Sequence, residues 1–161
     1  KRIFWRRAMS VIAPYCQYRK TNFKIGIVLL LIAAAYFCYD GNYNKKFVDR
    51  HTRDGKPDST LVFNRKSPPY FFAGAVVLVV VLWKLKDKKI IADEQELILS
   101  DNSKIAYNSI ETVNKTKYQL KGFFIIEYKS QDGQKKQCKI SNRAYDNLDA
   151  ILEILVTKIT G

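Results

Sequence analysis

Two uninterrupted apolar runs dominate the pattern of the chain. Ile25 to Tyr39 reads IGIVLLLIAAAYFCY, and Tyr70 to Trp83 reads YFFAGAVVLVVVLW. Neither contains a Lys, Arg, Asp or Glu. A buried helix in a soluble protein of this size carries a polar stripe, and these carry none. The pattern therefore predicts two transmembrane helices, residues 23–39 and 70–86. Both are short. The first covers 17 residues, about 25 Å of helix against a hydrocarbon core of roughly 30 Å. The second run holds nine Leu, Val or Phe residues between Phe71 and Leu82, which favour insertion by about 3–5 kcal/mol. The ends suit an interface. Tyr36, Phe37, Tyr39, Tyr70, Phe71, Phe72 and Trp83 supply aromatic rings, while Lys24, Lys84 and Lys86 can snorkel outward.

After Lys88 the period changes to two. Glu96–Leu99, Lys104–Tyr107, Ile110–Lys115, Phe123–Lys129 and Lys135–Ile140 read as strands. Asp132-Gly133 marks a hairpin turn. Tyr145, Leu148, Leu152, Leu155 and Ile159 then recur at helical spacing, with Ser141 or Asn142 placed to cap. The expectation is an α+β domain over 88–161, a meander of five or six strands closed by one helix.

Between the apolar runs, residues 40–69 form a polar, turn-rich loop in which Thr60–Phe63 is the one candidate strand. The loop is too short to bury a core of its own, so order in it would come from a partner. Residues 1–22 read as a basic interfacial segment. Ile3, Phe4, Ala8, Val11, Ile12 and Tyr15 fit one face of a helix ending at Pro14. The first apolar run is expected to remain as an uncleaved anchor, because Tyr36 and Phe37 are too bulky for a signal-peptide cleavage site.

Charge sharpens this organisation. Residues 1–87 hold +11 of the formal net charge of +13. Arg2, Arg6, Arg7, Arg19, Lys20, Lys24, Lys84 and Lys86 flank the spans and are candidates for contact with anionic lipid headgroups. That use of the basicity argues against nucleic acid as the partner. The positive-inside bias places both termini in the cytoplasm of a bacterial inner membrane, with an organellar inner membrane as the alternative.

The order of Glu96–Leu99, Lys104-Ile105-Ala106-Tyr107-Asn108-Ser109-Ile110-Glu111-Thr112-Val113, the phenylalanine-rich strand, the Asp132-Gly133 turn and the closing helix resembles the bacterial PH-like domain family. The version resembled is preceded by a two-helix membrane hairpin. The likeness covers about 70 residues and rests on strand order rather than on a chemical motif. It implies a small antiparallel barrel of seven strands and a helix, one strand more than the pattern supplies. The turn Ser100–Ser103 is acidic and polar, so the phosphoinositide site of eukaryotic PH domains does not carry over. Lys115, Lys117 and Lys121 form a basic loop.

Signs of catalysis are sparse. The one histidine, His51, has no second histidine or cysteine at ligand spacing. Cys16, Cys38 and Cys138 are isolated from one another. Asp93, Glu94 and Glu96 read as a solvated corner beside Lys88 and Lys89. Seven scattered glycines make no phosphate-cradling loop. The expectation is a non-enzymatic chain without cofactor or metal. It would act as an accessory or scaffold subunit among other membrane protein subunits, with homo-oligomerisation possible. The alternative is a stand-alone tethered adaptor or sensor that binds peptide or lipid. Candidate helix contacts are Ala33, Ala34 and Ala35 with Ala73, Gly74 and Ala75, because small residues allow close approach.

Overall fold

The structure, a computed structural model, describes residues 10–130 and 132–160. It divides into two units. One is a helical hairpin, Lys20–Lys84, and the other joins the segment before the hairpin to everything from Leu85 onward.

In the hairpin unit, α1 (Gln17–Asn42) has 26 residues, about 39 Å at the α-helical rise. The returning arm is α3 (Ser59–Lys66) followed by α4 (Pro68–Leu85). Ser67 joins them with little interruption: its amide donates to the Phe63 carbonyl at 2.8 Å, and the Phe71 amide donates back to the Ser67 carbonyl at 3.2 Å. Both arms are therefore long and apolar enough to cross a membrane. They outrun the apolar runs because polar residues continue the helical path beyond them.

The seam between the arms explains that continuation. Phe23, Gly26, Leu30, Ala33, Phe37 and Asp40 are buried or half-buried at spacings of 3 and 4. On the other arm Leu61, Asn64, Ser67, Phe71, Gly74, Leu78 and Val81 do the same. A repeat averaging 3.5 residues keeps one face on its partner, as in an antiparallel coiled coil. Large side chains meet small ones. Leu78 Cδ1 lies 3.2 Å from the place of a Cβ on Gly26, and Leu30 Cδ1 lies 3.5 Å from that on Gly74. Phe37 stacks on Phe71 at 5.3 Å and meets Phe63 edge-on at 5.4 Å.

Residues 40–69 are folded by contacts within the chain. Between the arms lie α2 (Lys45–Arg50) and a hairpin of β2 (Thr52–Arg53) with β3 (Lys56–Pro57). Asn44 caps α2 and Asp58 caps α3 through their side-chain oxygens. Asp54 and Gly55, at φ 51° and 72°, make the tight turn that a two-residue hairpin loop requires. Thr60–Phe63, expected as a strand, is helical. The Asp58 cap starts the helix, and burial of Leu61 and Asn64 on the seam holds it.

Among the described residues, the second unit contains seven strands in two sheets. The first sheet has the order β1-β4-β5-β6, from Val11–Pro14, Lys89–Ala92, Glu96–Ile98 and Lys104–Ala106. The second is β7-β8-β9, from Ile110–Asn114, Phe123–Lys129 and Lys135–Ser141. A 3-10 turn at Tyr107–Ser109 separates them, and they do not close into the expected barrel. Helix α6 (Leu148–Thr160) covers the space between, burying Leu148, Ile151 and Leu155 against Ile90, Leu97, Phe124 and Ile140.

Two sequence expectations are corrected here. Residues 1–9 of the proposed interfacial helix lie outside the described residues, but Val11–Pro14 is a strand and belongs to the domain. It pairs antiparallel with β4, Val11 opposite Ala92 and Pro14 opposite Lys89. Ala13 is fully buried there. A four-residue strand gains its stability from the sheet it joins, which a local helical pattern cannot foresee. The closing helix also starts later than Ser141 or Asn142. Residues 141–147 are used to hold the chain before the hairpin: Cys16 N donates to Ala144 O at 2.8 Å, and Tyr145 bridges Tyr15.

Candidate functional site

The residues with a case for function fall into three groups. The first is the small-residue set on the hairpin. Ala75 is buried and Gly74 half-buried, whereas Ala73 faces outward. Ala33 and Ala34 are half-buried and Ala35 is exposed. Leu30 Cδ1 is the atom near the place of a Cβ on Gly74, and Phe37 stacks on Phe71. The outward faces are strongly apolar, with Val28, Leu29, Ile32, Val77 and Val80 among the exposed large side chains.

The second group is polar and caps the connecting end of the hairpin. Asp40 and Asn64 are 5% and 4% exposed. The Asp40 carboxylate accepts a hydrogen bond from Asn44 Nδ2 at 2.8 Å. Gly41 allows the backbones to touch: a Cβ there would lie 3.0 Å from Arg65 N and from Asn64 C. Arg65 Nε donates to the Gly41 carbonyl at 2.9 Å, locking the approach. The lone histidine has a structural partner. His51 Nδ1 and Asp58 Oδ2 are 2.8 Å apart, and His51 packs on Phe47 at 4.3 Å. The Leu61 amide holds the Asp58 carboxyl below its usual range, with His51 adding to it.

The third group is charge. Arg2, Arg6 and Arg7 lie outside the described residues. Arg19, Lys24, Lys84 and Lys86 are exposed, and Lys20 is half-buried. Within the domain, Lys104 pairs with Glu96 at 2.6 Å. Glu111 receives Lys135 at 2.8 Å and Lys129 at 3.1 Å, which hold its carboxyl below the usual range. Tyr107, in the core, donates to the Asp93 carbonyl at 2.8 Å, and burial pushes its hydroxyl up to about 12. Cys16 is buried, and Cys38 and Cys138 are half-buried, all three as free thiols. Burial pushes the Cys138 thiol up, which makes it a poor nucleophile. Among the described residues, no three His, Cys, Asp or Glu gather at metal-binding distance.

No protein-family model, curated protein or solved structure matches this chain. The pairing of β1 with β4 across the hairpin is not visible in the sequence. The strand before the hairpin and the strand after it are hydrogen-bonded neighbours, Tyr15 N donating to Lys88 O at 2.9 Å. The only local signal was Val11-Ile12-Ala13, three apolar residues that fit helix and strand equally.

Proposed function

We propose that this chain is a non-catalytic, membrane-anchored scaffold subunit in which a two-span hairpin is inserted into one small PH-like domain. The observation that carries the reading is the β1–β4 pairing across the hairpin. Seven strands, four and three, followed by a helix, are the count that the PH-like resemblance implies. Strand β1 supplies the one that the downstream pattern lacked. If the arms span a bilayer, β1 and the rest of the domain lie on the same face of it, whichever way the hairpin inserts. The positive-inside bias makes that face the cytoplasm of a bacterial inner membrane. Two residues, Tyr15 and Cys16, separate β1 from α1, and three, Lys86–Lys88, separate α4 from β4.

The outward apolar faces of α1 and α4 are available to lipid and to the spans of neighbouring subunits. Migration of the native protein in mild detergent tests the reading. Co-migration with other membrane proteins is the expected result. A protein migrating by itself, or only with copies of itself, favours the tethered adaptor or sensor.

A further inference from the structure

The basic loop between β7 and β8 has a shape that the scaffold reading does not use. It folds as a single helical turn, α5 (Tyr118–Lys121). Gly122 ends it at φ 68°, and a Cβ there would collide with the side chain of Asn142. At the tip Leu120 is 89% exposed, more than any other large apolar side chain among the described residues. Lys115, Lys117 and Lys121 flank it in the chain, all exposed, and residues 114–122 contain no acid. Among the described residues none of the three lysines forms an ion pair. The neighbouring acid Asp149 is engaged by the Tyr118 hydroxyl.

The place of this turn matters as much as its composition. The Gly122 carbonyl accepts from Asn142 N at 2.9 Å and from Ser141 Oγ at 3.2 Å. The same short stretch holds the start of α1: Ala144 O accepts from Cys16 N, and Asp146 Oδ2 accepts from Gln17 N at 2.8 Å. Tyr118, Gln119, Asn142 and Asp146 line a common groove. The turn therefore lies at the end of the domain from which the chain passes into α1.

We propose that the Lys115–Lys121 turn is a membrane-contact finger. Leu120 enters the interface of an anionic bilayer, and the three lysines hold its headgroup phosphates. An apolar tip within a basic collar matches that surface in both hydrophobicity and charge. Each lysine near an anionic leaflet favours the bound position by about fivefold. The inference rests on the arms spanning the bilayer.

The test uses the full chain in nanodiscs of phosphatidylcholine with and without phosphatidylglycerol. Cys16, Cys38 and Cys138 are replaced by alanine, and spin labels are placed singly at Leu120→Cys, Asp132→Cys and Val77→Cys. With phosphatidylglycerol, the label at 120 should have an oxygen-to-nickel accessibility ratio several-fold above that at 132. The ratio should fall towards the value at 132 without the anionic lipid, or when Lys115, Lys117 and Lys121 are changed to Gln. A label at 120 as aqueous as that at 132 overturns the proposal. So does a label hidden from both reagents, which means that protein covers the tip, or insertion that ignores the loss of the lysines. Lipid exposure at 77 with an aqueous 120 removes the finger alone, whereas an aqueous 77 removes the membrane-spanning reading itself.

Discussion

The amide of Tyr15 donates to the carbonyl of Lys88 at 2.9 Å, although the whole hairpin lies between them in the chain. This bond, with the β1–β4 ladder beside it, makes the domain depend on residues from both sides of the hairpin. Changing Ala13, which is fully buried, to Asp should therefore unfold residues that lie far away in sequence. A carboxylate without a partner in a core is among the costliest single changes. Hydrogen exchange on the full chain should show amides 89–92 losing protection while α1 and α4 keep theirs. Protection of β4 equal to that in the parent chain would remove β1 from the fold.

The same pairing fixes what a topology experiment must find. Ser59 lies at the connecting end of the hairpin, and Asp132 lies between β8 and β9. A membrane-impermeant thiol reagent added to intact cells should label Ser59→Cys and miss Asp132→Cys. Labelling of both, or of Asp132→Cys alone, contradicts two spans with a cytoplasmic domain.

Glycines on the seam should differ sharply. At Gly41 an added methyl meets main-chain atoms of Asn64 and Arg65 at 3.0 Å, and neither can move without opening the arms. Gly41→Ala should cost about 1–3 kcal/mol, the range for overpacking a close contact. At Gly74 the nearest atom is a leucine methyl at 3.5 Å, an ordinary contact. Gly74→Ala should be nearly neutral. Thermal melts of the two variants in detergent check the order, and equal destabilisation would refute the close approach at Gly41.

On α6 the fully buried positions are Leu148, Ile151 and Leu155, while Leu152 is only partly covered. Ile151→Ala should lose roughly 2–5 kcal/mol from transfer energy and the cavity left behind. Leu152→Ala should lose distinctly less. Melting of the full-length variants decides between them, and a larger loss at 152 would mean that α6 is rotated.

Hydrogen bonds from Lys135 and Lys129 hold the Glu111 carboxyl below its ordinary value of 4.5. The unfolded chain therefore protonates this group first as pH falls. Its stabilising contribution is complete above pH 4.5 and disappears as pH drops through the lower folded value. Glu111→Gln should melt earlier than the parent at neutral pH, and the gap should close on acidification below 4.5. A gap that persists in strong acid would assign Glu111 another role.

The sequence by itself determined the two helices, the turns and most of the strands. Some fifteen apolar residues without a charge leave the backbone one way to satisfy its polar groups in an apolar setting, which is a helix. Asp54-Gly55 and Gly133 announced turns because their positive φ is costly for other residues. The run Phe123–Lys129 was legible as a strand, but with Phe123, Phe124, Ile125 and Ile126 all apolar only packing chose Phe124 and Ile126 as the inward pair. Tertiary structure decided the rest. Val11–Pro14 is too short to choose between helix and strand until β4 offers it a ladder. Thr60–Phe63 has β-branched residues, yet burial of Leu61 on α1 makes it helical. Gly74 was legible as a site of close approach, but Leu30, which fills it, was not, and neither was the matching pair of Gly26 and Leu78. Each of these outcomes depends on a partner distant in the chain, and the energy that fixes it exists only once the two segments are packed together.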